Sequence, residues 1–123
     1  MSNDEITKRV ERARVLHRQG CNCCQSVVLA FDDLLPIDQS SAAMMASAFG
    51  RGISGLREVC GCVSGIAMVC GLTNNTTMVK PLANKFREIN GELTCAKLLQ
   101  IQGAGHSCND LVACATRLVA EIL

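Results

Sequence analysis

Three of the chain's nine cysteines stand just inside helix-start signals: Cys23 follows Asn22, Cys95 follows Thr94 and Cys108 follows Ser107. Asn, Thr and Ser side chains accept a backbone N–H from the first turn of a helix. A thiol placed there feels the positive end of the helix dipole and ionises more readily. Thiolates attack disulfides and bind soft metals. Residue type and spacing therefore point to thiol redox chemistry or metal–sulfur chemistry. Cys60 and Cys62 add a further pair, in Cys60-Gly61-Cys62-Val63-Ser64-Gly65. Gly61 removes a side chain beside the Cys60 sulfur. Cys62 reads equally as a resolving thiol, a ligand or a packed side chain.

Magnitudes limit what converging thiols can be. A helix N-terminus contributes about 0.3–1 kcal/mol to an anion, less than one pKa unit. Two thiolates about 4 Å apart repel by roughly 4 kcal/mol at an effective dielectric of 20. A tight quartet must therefore stay mostly protonated, form disulfides or hold a metal. Zinc and iron–sulfur clusters both take four thiolates. The positions 23, 60, 95 and 108 are scattered, unlike the close runs of small ferredoxins and zinc ribbons.

The other cysteines read more plainly. Cys70 and Cys114 lie in apolar helix interiors and are expected in the core. Cys24, one turn from Val27 and Val28, favours packing, and Cys21 is expected as an exposed thiol. His17 ends an amphipathic helix, where a cation suits the dipole. His106 lies in a glycine loop beside Ser107 and Cys108, either as an activator or ligand there or as an exposed loop histidine. Gly50-Arg51-Gly52-Ile53-Ser54-Gly55 is a connector that allows close helix packing or cradles an anion, and it lacks the dinucleotide fingerprint. Glu58 is expected as a first-turn dipole partner. The five methionines, Met44 and Met45 among them, are expected as core filler rather than copper ligands.

The elements that must carry these residues are helical throughout. Ser2 and Glu5 open a first helix with the stripe Ile6, Val10 and Ala13, closed by Gly20. Asn22, with Gln25, opens a second that runs to Leu35 and stops at Pro36. Asp38 to Ser41 starts a third, ending at Gly50. A fourth, from about Leu56 to Cys70, is apolar on nearly every face, and the Val59–Leu72 segment is expected to be the most buried helix. A fifth covers Met78 to Asn90, with Phe86 and Ile89 inward and Gly91 closing it. A short helix follows Thr94, and Ser107 caps the last, Cys108 to Ile122. No segment alternates like a strand. The expectation is one all-α domain over residues 1–123, a bundle of about five to seven helices.

Bulk properties narrow the class. The 123 residues are 49% hydrophobic, enough for a core without disulfide staples. Net charge is +1, with signs mixed, no Trp or Tyr and three Phe. That gives no nucleic-acid footprint and no base-stacking platform. The charged N-terminal stretch lacks an apolar signal core, and glycines break the most apolar run, so no membrane insertion is expected. A cytoplasmic protein follows, in which the cysteines serve as thiols, ligands or redox pairs rather than staples. A homodimer is expected, to cover apolar surface.

Gly20-Cys21-Asn22-Cys23-Cys24-Gln25-Ser26-Val27, Phe49-Gly50-Arg51-Gly52 and Cys60-Gly61-Cys62-Val63-Ser64-Gly65 together resemble the CGAxxG proteins, the C-GCAxxG-C-C family named for redox activity. The likeness covers about Gly20 to Ile122. The same helical domain resembles part of the split-Soret cytochromes c. By motif, the family's four cysteines correspond to Cys23, Cys60, Cys95 and Cys108, with Cys114 the alternative for the fourth. The family motif has Ala where this chain has Cys62, and Cys21, Cys24, Cys70 and Cys114 are additional. Gln25 follows Cys24 where a c-type haem motif has His, so covalent haem is not expected.

The resemblance implies a small redox protein with an unidentified redox partner. Cys23, Cys60, Cys95 and Cys108 would form the reactive set and the metal or cofactor ligands, with Cys62 an accessory catalytic thiol. Electron transfer through an iron–sulfur cluster or other thiolate-bound metal, and thiol–disulfide exchange, are both open, with a slight lean to the cluster by analogy with the cytochromes. Whether a substrate is turned over is open too. The alternatives are a non-enzymatic metal-handling module and a helical assembly protein whose cysteines only pack.

Overall fold

Caps fix most helix starts in the computed structural model, which describes residues 1–101 and 107–123. Ser2 accepts from the Glu5 N–H and opens α1, Asn3–Arg18. Asn22 and Gln25 form a reciprocal capping box at the head of α2, Cys23–Leu29. Asp38 accepts from the Ser41 N–H at the head of α3, Gln39–Ser47. After α4, Gly61–Leu72, come α5, Val79–Asn90, and α6, Cys95–Ile101. A second capping box, Ser107 with Asp110, opens α7, Cys108–Ile122. The architecture is all-α: among the described residues the only extended pairing is a single bridge between Val59 and Thr94. No described helix is long and apolar enough to cross a membrane.

The core is layered around α2, which packs on α3, α4 and α7, while α1 lies along α7 and α5 closes against α4 and α7. Phe31, Phe86, Ile66, Leu82, Val27 and Val112 are fully buried there. α4 meets α2 through two glycines one turn apart. A Cβ on Gly65 would lie 2.8 Å from Val27 Cβ, and one on Gly61 would lie 3.3 Å from Cys23 Cβ. Any larger residue would push the two helices apart, and overpacking of this kind costs about 1–3 kcal/mol. The same glycines bring the head of α2 beside the head of α4.

The structure revises several sequence expectations. α2 ends at Leu29, not Leu35. Arg9 reaches over from α1, takes the Ala30 carbonyl at 2.9 Å, pairs with Asp33 and stacks on Phe31, and a 3₁₀ turn, Asp32–Leu34, follows. α4 begins at Gly61, not Leu56, because the preceding backbone is engaged elsewhere: Cys60 N–H donates to Leu93 O, and Cys95 N–H to Glu58 O. Residue for residue α2 is more buried than α4, with five of seven side chains buried against seven of twelve. Val59 sits in the bridge and is half exposed.

Ile89 is 56% exposed rather than inward. Leu82, Phe86 and Asn90, four apart, form the inner stripe, and the Asn90 amide donates to Phe86 O and Cys114 Sγ. Met44 and Met45 are 73% and 50% exposed, so they are not core filler. The small residues Ala42 and Ala46 take the inward face of α3 instead.

Candidate functional site

Cys23, Cys60, Cys95 and Cys108 are each delivered to one place by a different local device. Cys23 is the first residue of α2, set by the Asn22 cap and by Gly20, whose φ of 108° turns the chain out of α1. Cys60 is the residue before α4, with extended backbone (φ −54°, ψ 134°). Cys95 begins α6, which the backbone bonds from residues 57–60 to 93–96 hold against the α4 entrance. Cys108 begins α7, whose first turn is tied to α1: Arg14 donates to Asn109 Oδ1 at 2.7 Å and to Asp110 at 2.9 Å. The result is a pocket of about 320 Å³ lined by Cys23, Cys60, Cys95 and Cys108, with Cys21 also on its wall. Cys24, Cys70 and Cys114 do not line it.

Cys62 sits behind this pocket, fully buried on the first turn of α4. Its thiol is hydrogen-bonded to both Cys23 and Cys60, which together with burial drives its own pKa well above the usual 9.0. Cys23 moves the other way, down to about 3. The largest cause is a hydrogen bond from Cys108, followed by one from Cys62; burial opposes them, and His17 adds a smaller favourable contribution. Cys60 is also lowered, chiefly by Cys62, while the negative charge on Cys23 works against it. One S–H cannot serve two thiolates at once. Cys23, with Cys108 and His17 as further donors, is the one that holds the charge.

This replaces the dipole argument with a more direct one. α2 has only seven residues, and its dipole is a minor aid. Thiol donors aimed at one sulfur do the work, since hydrogen bonds to the charged form favour it.

His17 belongs to the site, although its position at the end of α1 suggested only a dipole role. Its Nε2 lies 3.9 Å from Cys23 Sγ. Its Nδ1 faces the Asn109 amide nitrogen at 3.3 Å. The Asn109 amide is oriented by Arg14, which donates to Oδ1 and accepts from Nδ2 through its carbonyl at 3.1 Å. The ring thus bridges Asn109 of α7 and Cys23 of α2, with Nε2 toward the sulfur. The signal available in the sequence was His17 standing one glycine turn before Cys23. His106 lies outside the described residues.

The remaining thiols behave as buried side chains. Cys24 contacts Met68 Sδ at 3.5 Å, and burial pushes its thiol up to about 12. Burial also raises Cys70 and Cys114. Cys95 Sγ, also on the pocket wall, accepts from Arg57 Nη1 at 3.6 Å.

Four cysteines around one cavity are, as donors, compatible with a thiolate-bound metal or cluster. Their spacing is not that of a ready site: among the described residues no group of three or more His, Cys, Asp or Glu is placed to hold one ion.

Fold and site together define a cysteine-rich, all-α domain with a thiol-lined pocket. The family model described as "Putative redox-active protein (C_GCAxxG_C_C)" matches residues 21–122. The chain belongs to that family. No curated protein and no solved structure matches it, so the likeness to split-Soret cytochromes gains no support.

Proposed function

We propose that this chain carries out thiol–disulfide exchange, with Cys23 as the attacking thiolate and Cys62 as the resolving thiol. The observation that carries the reading is the place of Cys62, hydrogen-bonded to Cys23 from the core side while Cys23 faces the pocket. A disulfide entering the pocket meets Cys23. The thiolate attacks one sulfur, the substrate S–S bond breaks, and the departing thiolate takes a proton from water. Cys23 is then neutral and joined to the other half of the substrate.

Loss of that charge changes its neighbours. Cys60, no longer opposed by Cys23, releases its own proton to water and, as a thiolate, accepts the Cys62 proton. The Cys62 thiolate attacks Cys23 Sγ from the side opposite the pocket, the in-line direction for displacement at sulfur. The second substrate thiolate leaves, and a Cys23–Cys62 disulfide remains. Two electrons have passed from two protein thiols to the substrate disulfide, and an external dithiol restores the pair.

An aromatic disulfide tests this. One equivalent of dithiobis(nitrobenzoate) should release about two equivalents of thionitrobenzoate from the native protein, because the resolving step frees the second. Cys62→Ser should release about one and retain the adduct on Cys23, read by peptide mass. Release of two from Cys62→Ser would remove Cys62 from this role. No adduct at Cys23 in either protein would leave the cysteines as packing in a helical assembly.

A thiolate-bound metal or cluster, in an electron carrier or a metal-handling module, is the second reading. It is supported by the four family cysteines sharing one cavity. Added zinc, or iron with sulfide, should then protect Cys23, Cys60, Cys95 and Cys108 from alkylation together. Labelling unchanged by metal would exclude it.

A further inference from the structure

Among the described residues the lining of the thiol pocket holds no carboxylate, and its ionisable side chains other than thiols are Arg51, Arg57 and His17. Among the described residues neither guanidinium is in an ion pair. Of the five N–H donors on Arg57, one faces Cys95 Sγ. Two cationic residues thus line the pocket beside Cys23, and among the described residues no carboxylate is paired with either.

The backbone that carries them is built for the purpose of placement. Arg51, Ile53, Ser54 and Arg57 all have positive φ, between 49° and 67°, and Gly52 and Gly55 are positive too, at 63° and 88°. Side-chain-bearing residues seldom adopt this conformation, so each of them is held there under strain. The loop is closed on itself: Arg57 N–H donates to Arg51 O and Glu58 N–H to Gly52 O. A Cβ on Gly52 would meet Glu58 N at 2.6 Å. Arg51 and Arg57 are therefore pinned to one another through the main chain, and both residues line the same cavity, with the Arg57 guanidinium at Cys95 Sγ. Leu98, Leu99 and Leu111 supply an apolar wall.

We propose that the pocket selects small sulfur-reactive molecules that carry a carboxylate or comparable anionic group, with Arg51 and Arg57 as the specificity-determining residues. A short apolar stem lies on the leucines, the anion lies on the guanidiniums, and the reacting atom meets Cys23. The volume, at the lower end of small-molecule sites, admits an amino-acid-sized ligand rather than a polypeptide segment. The inference rests on Cys23 as the nucleophile of the proposed function, but not on the exchange step that follows.

Iodoacetate and iodoacetamide test it, because they share a leaving group and nearly a shape and differ by one charge. The ratio of their rates at Cys23, resolved by peptide mass, is compared with the ratio for the urea-unfolded chain. The folded ratio should exceed the unfolded one by about tenfold, the lower end of what a focused field gives. Arg51→Gln and Arg57→Gln should each bring it down toward the unfolded value, and Arg57→Lys should keep most of it. Raising salt to about 1 M, where the Debye length is about 3 Å, should also lower it in the unaltered protein. That arm needs no substitution and so does not depend on a variant folding. A folded ratio at or below the unfolded one, or a ratio that neither Gln variant nor salt moves, overturns the proposal. Failure of disulfide exchange would appear instead as missing thionitrobenzoate release, with this ratio intact.

Discussion

Iodoacetamide should alkylate Cys23 at a rate that barely changes between pH 7 and pH 5, while every ordinary thiol of the chain slows about tenfold per pH unit. The folded Cys23 titrates at about 3 against a usual 9.0, so it is fully ionised over this range. A thiol near 9 is about one per cent ionised at pH 7 and about a hundredfold less at pH 5. Nucleophilicity falls with pKa, so Cys23 is not expected to stand out at pH 7. The contrast is at pH 5, where Cys23 should be the dominant labelled peptide. Cys24 and Cys70, raised by burial, serve as internal controls. Cys62→Ala removes one hydrogen bond to Cys23 and should move the onset of its labelling upward in pH. A Cys23 profile that falls tenfold per unit from pH 7 would show that its sulfur is an ordinary thiol.

Cys23→Ser should abolish the exchange and also change how stability depends on pH. A hydroxyl is not ionised near neutrality, and the nearest substitute, Cys62, is buried with its pKa pushed up. The loss of thionitrobenzoate release should be clearest at pH 5, at least about tenfold, because an ordinary thiol near 9 is there only about one part in ten thousand ionised. The stability effect has a definite sign. The folded pKa of Cys23 lies below its unfolded value, so the thiolate stabilises the fold most above about pH 9. That contribution is lost as the pH falls toward about 3. The unfolding free energy of native protein minus that of Cys23→Ser should therefore shrink on acidification. A difference independent of pH would mean that the ionised sulfur contributes nothing to the fold. Cys70→Ala should leave the exchange unchanged, since Cys70 does not line the pocket.

Local chemistry was legible in the sequence where it stayed local. Ser2, Asn22, Asp38 and Ser107 each accept the backbone N–H that a cap should accept. Gly20 and Gly91 stand at the ends of α1 and α5 with positive φ. The residues that departed from expectation answer to partners distant in the chain. Arg9 shortens α2 from twenty-one residues away, through Ala30. The backbone at 93–96 takes up the hydrogen-bonding groups of residues 57–60 and so makes Cys60 the threshold of α4 rather than part of it. The placement of Cys62 is decided by that same shift. Starting α4 at Gly61 puts Cys62 on the first turn, facing Cys23 and Cys60. His17 was invisible as a site residue because its role depends on Arg14 orienting Asn109 some ninety residues later.

The hydrogen bonds on Cys23 also set the direction in which electrons prefer to move. Cys108 and Cys62 donate to a sulfur that is negative only while the pair is reduced. Oxidation to a Cys23–Cys62 disulfide removes that negative charge and turns one donor into a bonding partner. The fold therefore stabilises the dithiol form over the disulfide, and Cys23 is a good leaving group once bonded. A pair poised in this way surrenders its disulfide readily to another protein or small thiol. In the proposed exchange such a pair would reduce only a strongly oxidising disulfide, and would then pass its own disulfide on to the external dithiol that restores it.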